Sequence, residues 1–164
     1  MTDFQFSQDP LAAFDNELKK AEQAGVQEPI AMTLATVGAD GWPSERVVLF
    51  KGFSQGGFRF FTNYNSQKAE ELASGKAALQ FFWPNLAQQI RIHGFVEKLD
   101  RAESVEYFAT RPRLSQIGAW ASEQSHEIPN AEWLAARVQH FEAQFAGREV
   151  PCPENWGGYR VTPL

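Results

Sequence analysis

The sequence has few of the residues that form disulfides or bind structural metals. Cys152 is the only cysteine among 164 residues, so no disulfide can form within the chain. Three scattered histidines do not complete a tetrahedral zinc site, and we predict no metal site. No run approaches the ~20 apolar residues of a membrane span, and the first ten residues lack the pattern of a secretory signal. We therefore predict a cytoplasmic protein that does not enter a membrane.

Positive charge is also scarce. Fifteen Lys and Arg residues stand against twenty Asp and Glu, a net charge of −5, which argues against a nucleic-acid-binding surface. The chain length and a hydrophobic content of 43% predict one domain, residues 1–164, with its own core. Aromatic residues make up 13% of the chain, which fits either an aromatic core or a site for a flat conjugated ligand.

The hydrophobic pattern predicts an α+β fold. Asp9-Pro10 begins a helix that ends near Gly25. Strands are predicted at Ile30–Val37, Arg46–Phe53, Phe58–Asn63, Ala77–Trp83, Gln88–Glu97 and Trp156–Val161. Helices are predicted at Ser66–Ser74, Ala102–Thr110 and Pro112–Ala121, with a longer one carrying Leu134, Val138, Phe141 and Phe145. Short antiparallel strands with peripheral helices indicate a small β-barrel.

The few basic residues of the first half are candidates for binding anions. Arg46 and Lys51 share one predicted strand at an odd separation, so their side chains are expected on opposite faces and in two different sites. Lys68 lies in the first turn of a predicted helix with Ser66 at its N-cap. That arrangement is typical of a phosphate site or of a capped surface helix.

Two further groups are candidates for binding. Gln89, Arg91 and His93 alternate with Ile90 and Ile92, so they form either a solvated strand face or a wall that hydrogen-bonds a heterocycle.

Tyr107 and Arg111 share a helix face, and Pro112 then starts a helix that places Arg111 and Ser115 near its N-terminus. This is a second candidate phosphate pocket. The sequence contains no P-loop or dinucleotide fingerprint and no recognisable nucleophilic triad.

Several segments closely resemble the pyridoxamine/pyridoxine 5′-phosphate oxidase family. They are Arg46-Val47-Val48-Leu49-Phe50-Lys51, Phe61-Thr62-Asn63-Tyr64, the run RPRLSQIGAWAS from Arg111, Gln124-Ser125 and Trp156-Gly157-Gly158-Tyr159-Arg160. The resemblance extends from about Asp9 to Pro163. It implies an antiparallel split β-barrel that binds FMN at the interface of a homodimer. It also implies oxidation of pyridoxamine or pyridoxine 5′-phosphate to pyridoxal 5′-phosphate, with O₂ as acceptor and H₂O₂ as product.

The resemblance also assigns residues to two groups. The positions implied to bind FMN are Arg46, Val47, Val48, Leu49, Phe61, Thr62, Gln67, Lys68, Gln89, Gln124 and Ser125. The positions implied to bind the substrate phosphate are Lys51, Tyr107, Arg111 and Ser115. The implied partners are thus the phosphorylated substrate and a second copy of the chain.

This sequence departs from the family pattern in three places. Gln67 stands where the family usually has arginine, so one cation expected at the FMN phosphate is missing, and Gln88 likewise replaces a usual arginine. The family continues with a strand and an Arg-Leu-His-Asp-Arg segment that holds the pyridine ring, whereas this sequence ends at Leu164. We expect this form to keep its phosphate anchor and to turn over slowly. Two alternatives remain: a non-catalytic protein that binds FMN or pyridoxal phosphate, and a flavin oxidase of another ring substrate, as in phenazine formation.

Overall fold

The structure, a computed structural model, describes residues 9–164. The strands in this range are β1 Ala31–Val37, β2 Pro43–Leu49, β3 Phe53–Ser54, β4 Gly57–Asn63, β5 Lys76–Trp83, β6 Gln88–Lys98 and β7 Trp156–Pro163. The helices are α1 Pro10–Gln23, α2 Gln67–Glu71, α3 Arg101–Ala109, α4 Arg113–Ala121 and α5 Ala131–Gln144, with 3-10 turns at Leu72–Ser74 and Pro84–Leu86.

All seven strands form one antiparallel sheet in the order β2-β1-β5-β6-β7-β4-β3. The two edge strands, β2 and β3, are consecutive in the chain and are joined only by residues 50–52. The four Cα steps from Leu49 to Phe53 span at most ~14 Å, whereas the edges of a flat seven-stranded sheet lie ~29 Å apart. The sheet therefore has to curl, and the predicted α+β split barrel with peripheral helices is confirmed.

The predicted strand Arg46–Phe53 is wrong in its second half. The second strand ends at Leu49, and the chain crosses to β3 through Phe50–Gly52. Gly52 has a φ of +83°, in the left-handed region that interrupts a strand. The N–H of Lys51 instead donates to the carbonyl of Arg59, at 2.8 Å. The argument that Arg46 and Lys51 lie on opposite faces of one strand therefore does not apply.

The helix predicted from Asp9 is confirmed as α1, which packs on the inner face of the sheet. The Asp9 side chain accepts a hydrogen bond from the N–H of Leu11 at 2.9 Å, which caps the first turn. Phe14 is 4% exposed, and its ring centroid lies 4.9 Å from that of Phe58 and 4.8 Å from that of Phe81. Edge and tilted packing of this kind joins the helix to strands from both halves of the barrel.

A second buried cluster lies between the later helices and β7. It contains Phe108, Ile117, Phe145, Val150 and Trp156. This cluster sets the position of α3 and α4 beside the barrel. Within residues 9–164, no helix is both long and apolar enough to cross a membrane.

We expect Phe14→Ala to lower the free energy of unfolding by roughly 3–5 kcal/mol, because it leaves a cavity among buried aromatic rings. Urea denaturation followed by circular dichroism measures this change. The matched control is Leu114→Ala, since Leu114 is 73% exposed and its truncation should change stability by no more than about 0.5 kcal/mol. Equal effects of the two substitutions would contradict the placement of Phe14 in the core.

Candidate functional site

A cavity of about 830 Å³ lies between β2, β4, α3 and α4. Most of the side chains that the sequence predicts for binding line it. They are Val47, Val48, Leu49, Lys51, Phe61, Thr62, Lys68, Tyr107, Arg111, Ser115 and Gln124. The curl of the sheet and the docking of the helices thus bring together residues that are up to 77 positions apart, from Val47 to Gln124.

Arg111 lines one part of the cavity, and the other residues implied to bind the substrate phosphate, Lys51, Tyr107 and Ser115, line the same cavity. The Arg111 Nη1 atom is buried and has no hydrogen-bond partner. Among the described residues, no carboxylate forms a salt bridge with this guanidinium. Burial lowers the pKa of Arg111, although nearby Tyr107 and Cys152 act in the opposite direction. An uncompensated, partly buried cation of this kind favours an anionic ligand.

Aromatic rings hold this part of the cavity in place. The Phe61 and Tyr107 rings stack with centroids 3.9 Å apart, and Phe61 stacks on Trp156 at 5.4 Å. The Arg111 Cζ atom lies 4.5 Å from the centroid of the Trp156 ring, within the range of a cation–π interaction. Trp156 also lines the cavity. Trp156 belongs to one of the segments that resemble the family, but it was not among the predicted site residues.

A second cation of the cavity is Lys68, which is 9% exposed on α2. Its Nζ atom donates to Ser66 Oγ at 3.1 Å and to Gln124 Oε1 at 3.0 Å, and Thr62 Oγ1 donates to the same Gln124 oxygen at 3.1 Å. Burial lowers the pKa of Lys68, and the charge of Arg46 lowers it further. No carboxylate within the described chain forms a salt bridge with Lys68.

The predicted helix Ser66–Ser74 is present as α2 followed by the 3-10 turn Leu72–Ser74. Ser66 occupies the predicted N-cap position, but its hydroxyl makes no capping bond to the helix N–H groups. It donates instead to the carbonyl of Asn63 at 2.7 Å and accepts from Lys68. The hydroxyl therefore helps to hold Lys68.

Three other predicted FMN residues, Arg46, Gln67 and Ser125, line a smaller cavity of about 290 Å³. Lys68 lines both cavities. Ser125 has a φ of +68°, a strained conformation for a residue other than glycine. Arg46 and Lys51 thus lie in different cavities, although not for the reason expected from a shared strand.

Arg46 differs from Lys68 because its charge is compensated. Its Nη2 atom donates to Glu71 Oε2 at 2.6 Å, while its Nη1 atom contacts the hydroxyl of Thr36. Gln67 Nε2 donates to the other Glu71 oxygen at 2.8 Å. Burial raises the pKa of Glu71, but the hydrogen bonds from Thr36, Arg46 and Gln67 outweigh it and lower the pKa to about 2. Glu71 was not among the predicted site residues. Its position four residues after Gln67 on a predicted helix was the available signal that the two side chains interact.

Gln89 lies outside both cavities. The predicted alternation is confirmed: Gln89, Arg91 and His93 are exposed on the outer face of β6, while Ile90 and Ile92 face inward. Within one described chain, therefore, Gln89 is the one predicted FMN residue that lines neither the larger nor the smaller cavity.

Comparison with known proteins shows the family of this chain. The sequence model described as pyridoxamine 5′-phosphate oxidase matches residues 18–145. A pyridoxine/pyridoxamine 5′-phosphate oxidase from Bdellovibrio bacteriovorus is 51% identical over 161 residues, covering 98% of this chain and 82% of that protein. One from Burkholderia multivorans is 53% identical over 156 residues, covering 94% of this chain and 72% of that protein. The chain therefore belongs to the pyridoxamine 5′-phosphate oxidase family.

Two solved structures share the fold of this chain. PhzG from Burkholderia lata 383, in complex with tetrahydrophenazine-1-carboxylic acid, is 32% identical with a TM-score of 0.90, covering 96% of this chain and 77% of that one. A pyridoxamine 5′-phosphate oxidase-related FMN-binding protein from Nostoc punctiforme is 17% identical with a TM-score of 0.73, covering 97% of this chain and 84% of that one. The second likeness shows the split-barrel fold alone.

The low pKa of Glu71 predicts a pH dependence of stability. Its folded pKa of about 2 lies below the ordinary value of 4.5, so ionised Glu71 stabilises the fold above pH ~4.5 and loses this contribution as the pH falls toward ~2. We expect Glu71→Gln to be less stable than the wild type near neutral pH, and the difference to narrow on acidification.

Urea unfolding at several pH values between about 6 and 3 measures that difference. The matched control is Glu70→Gln, an exposed neighbour on α2, whose effect should not change over the same range. If the stability difference between Glu71→Gln and the wild type also stayed constant over this pH range, the buried ion pair would be contradicted.

Proposed function

We propose that the protein oxidises pyridoxamine or pyridoxine 5′-phosphate to pyridoxal 5′-phosphate, using FMN as cofactor and O₂ as acceptor, with H₂O₂ as product. The observation that carries this proposal is a cavity lined by three cations, Lys51, Lys68 and Arg111, none of which forms a salt bridge with a carboxylate of residues 9–164. Lys68 lies on α2, whereas Lys51 and Arg111 lie in connecting segments. Lys68 as one group and Lys51 with Arg111 as a second match two phosphate groups, one on the cofactor and one on the substrate.

The residues around Lys68 fit the phosphate of FMN. Lys68 supplies a buried cation, and Arg46, Gln67 and Ser125 add polar groups beside it in the smaller cavity. The compensated charge of Arg46 makes Lys68 the dominant cation there. Further contacts come from Val47, Val48, Leu49, Phe61, Thr62 and Gln124. When bound, FMN supplies the two-electron redox chemistry, and the protein supplies binding and orientation.

The substrate phosphate fits the group that we call the phosphate clamp: Lys51, Tyr107, Arg111 and Ser115. The unpartnered Nη1 of Arg111 offers a donor directly to an anion, while Lys51 adds a second charge and the hydroxyls of Tyr107 and Ser115 add neutral donors. Anchoring the phosphate at one end of the substrate limits the orientations of its ring. Such positioning is a large part of the work a protein does in a cofactor-dependent reaction.

A second copy of the chain completes this site in our proposal. The outer face of β2, β1, β5 and β6 exposes Val47 (68%), Phe82 (62%) and Phe95 (55%). The strand register places Phe82 opposite Gln89 on this face, so an exposed aromatic ring neighbours a predicted FMN residue. An interface would remove these exposed apolar side chains from water. We infer a homodimer in which this face is covered and Gln89 of each chain approaches the cavity of the other.

We expect the two candidate phosphate sites to separate in mutants. Lys68→Ala should weaken FMN binding by about tenfold or more and leave the clamp intact, because a hydrogen bond to a charged group contributes roughly 1.5–3 kcal/mol. Lys51→Ala should leave FMN binding unchanged and weaken binding of a substrate analogue, 4-deoxypyridoxine 5′-phosphate. This analogue has a methyl group in place of the hydroxymethyl group that is oxidised, so it binds without reacting.

Arg46→Ala should weaken FMN binding less than Lys68→Ala does, because Glu71 already compensates the charge of Arg46. Fluorescence titration measures FMN binding, and calorimetry measures the analogue. Three variants with the same FMN affinity would contradict the division into two phosphate sites.

The reaction is tested with the FMN-loaded protein and pyridoxine 5′-phosphate in air. We expect H₂O₂ and pyridoxal 5′-phosphate to form in equal amounts, and Arg111→Ala to lower kcat/KM. FMN binding without product would favour the non-catalytic binding protein instead.

The likeness to PhzG favours a second candidate, a flavin oxidase of a phenazine-type carboxylic acid. A cationic clamp also binds a carboxylate, so the affinities for a phosphate ligand and for a carboxylate ligand have to be compared directly. Affinity for 4-deoxypyridoxine 5′-phosphate above that for phenazine-1-carboxylate supports the vitamin B6 substrate, and the reverse order supports the alternative.

For the homodimer, we expect Phe82→Asp to shift the protein toward monomer, because an aspartate would be buried without a partner at the interface. The matched control is Leu114→Asp on α4, at a leucine that is 73% exposed outside this face. Sedimentation velocity with FMN bound measures the change. A wild-type protein that is monomeric at micromolar concentration would remove this part of the proposal.

A further inference from the structure

Arg59 on β4 connects two elements that carry the phosphate clamp. Its Nε atom donates to the carbonyl oxygen of Lys51 at 2.7 Å, and its Nη1 atom donates to Glu103 Oε1 on α3 at 2.9 Å. The other Glu103 oxygen accepts from Ser54 Oγ at 3.0 Å. Both charged side chains are only 25% exposed. The ion pair therefore joins the segment after β2 to the helix that leads to Arg111.

The backbone of Lys51 has few other constraints. Residues 50–52 lie outside the strands. The N–H of Lys51 donates to the carbonyl of Arg59, and the N–H of Arg59 donates to the carbonyl of Gly52 at 3.0 Å. The Arg59 side chain satisfies the Lys51 carbonyl as well, so this one residue bonds both the N–H and the C=O of Lys51. The flexible four-carbon side chain of Lys51 thus starts from a fixed backbone.

The contacts between β4 and α3 repeat in register. Glu103 pairs with Arg59, and one helical turn later Tyr107 stacks on Phe61 at 3.9 Å. Four residues of a helix rise ~6 Å and two residues of a strand rise ~6.8 Å, so successive pairs stay aligned. Arg111 follows after another turn, just beyond the end of α3. A shift of α3 along β4 would therefore move Tyr107 and Arg111 together relative to Lys51.

We propose that Arg59, through its bonds to Lys51 and Glu103, is a positioning residue that sets the spacing between Lys51 and the Tyr107 and Arg111 half of the phosphate clamp. This inference rests on the proposed function, because that proposal supplies the phosphate ligand. A clamp held at its working spacing before the ligand arrives loses less conformational entropy on binding. Removing one partner of a partly buried ion pair also costs stability, so Tm and FMN affinity are measured beside analogue affinity to separate positioning of the clamp from a general loss of stability.

The test measures binding of 4-deoxypyridoxine 5′-phosphate to the FMN-loaded protein by calorimetry, for the wild type, Arg59→Met and Glu103→Gln. We expect Arg59→Met to weaken binding of the analogue by about tenfold and to change the FMN affinity by less than about twofold. The substitution removes the preorganisation of the phosphate clamp only. Arg59→Lys can keep the ion pair with Glu103 but cannot also bond the Lys51 carbonyl. Its affinity for the analogue should therefore lie between those of the wild type and Arg59→Met.

The strand register offers a matched control in Arg160→Met. Arg160 lies directly opposite Arg59 on the neighbouring strand β7, and its ion pair with Glu97 at 2.8 Å does not involve the clamp. This variant should bind the analogue as the wild type does.

Three results would overturn the inference. An unchanged analogue affinity in Arg59→Met, with a loss in Arg111→Ala, would remove the role of Arg59 and leave the proposed function standing. Equal losses of analogue and FMN affinity together with a lower Tm would show a structural role only. No binding of the analogue to the wild type would remove the phosphate clamp and the role of Arg59 with it.

Discussion

The short connection between β2 and β3 is the constraint on which the rest of the structure depends. Three residues, Phe50–Gly52, join strands that are the two edges of a seven-stranded sheet. The sheet must curl to satisfy this connection, and Phe50 is drawn into the core beside Phe14. The same connection carries Lys51, so barrel closure and the position of a phosphate-clamp residue have one cause.

Buried charge distinguishes the parts of the site. Arg46 lies against Glu71 and therefore contributes little net charge to the smaller cavity. Lys68 and Arg111 form no salt bridge with a carboxylate of residues 9–164. Lys68 donates to Ser66 and Gln124, and Arg111 lies against the Trp156 ring. Burying such cations costs free energy in the absence of a ligand. In our proposal the phosphates of cofactor and substrate offset that cost, which explains why the chain keeps Lys51, Lys68 and Arg111 in one cavity despite its net charge of −5.

The family assignment and the geometry support different parts of the functional proposal. Membership of the pyridoxamine 5′-phosphate oxidase family narrows the reaction to an oxidation. The geometry places the candidate cations in two cavities that share Lys68, and it shows Gln89 on an exposed face outside both of them. The likeness to PhzG at 32% identity keeps a carboxylate substrate as the second candidate. The preference of the clamp for a phosphate or for a carboxylate therefore distinguishes the two candidate substrates.

Local patterns in the sequence were sufficient for most elements of the fold. Alternation along Gln88–Lys98 and the Asp9 cap of α1 depend on residues close in sequence, and the structure agrees with both. The helix face predicted for Tyr107 and Arg111 was extended too far, because α3 ends at Ala109 and Arg111 lies beyond it. The one strand that was extended too far crossed Gly52, where a positive φ ends the pairing. The grouping of the candidate site residues came from a resemblance to a family, since spacing alone did not connect Val47 with Gln124.

Only the tertiary structure decided which charges are paired. The contacts of Glu71 with Arg46 and of Arg59 with Glu103 join residues 25 and 44 positions apart. No periodicity encodes such contacts, because they depend on the curl of the sheet and on the register of α3 against β4. The sequence by itself determined the kinds of charge available and the faces that carry them. The fold determined which cations remain free to bind a ligand, because compensation of a charge depends on distances of a few ångströms between distant parts of the chain.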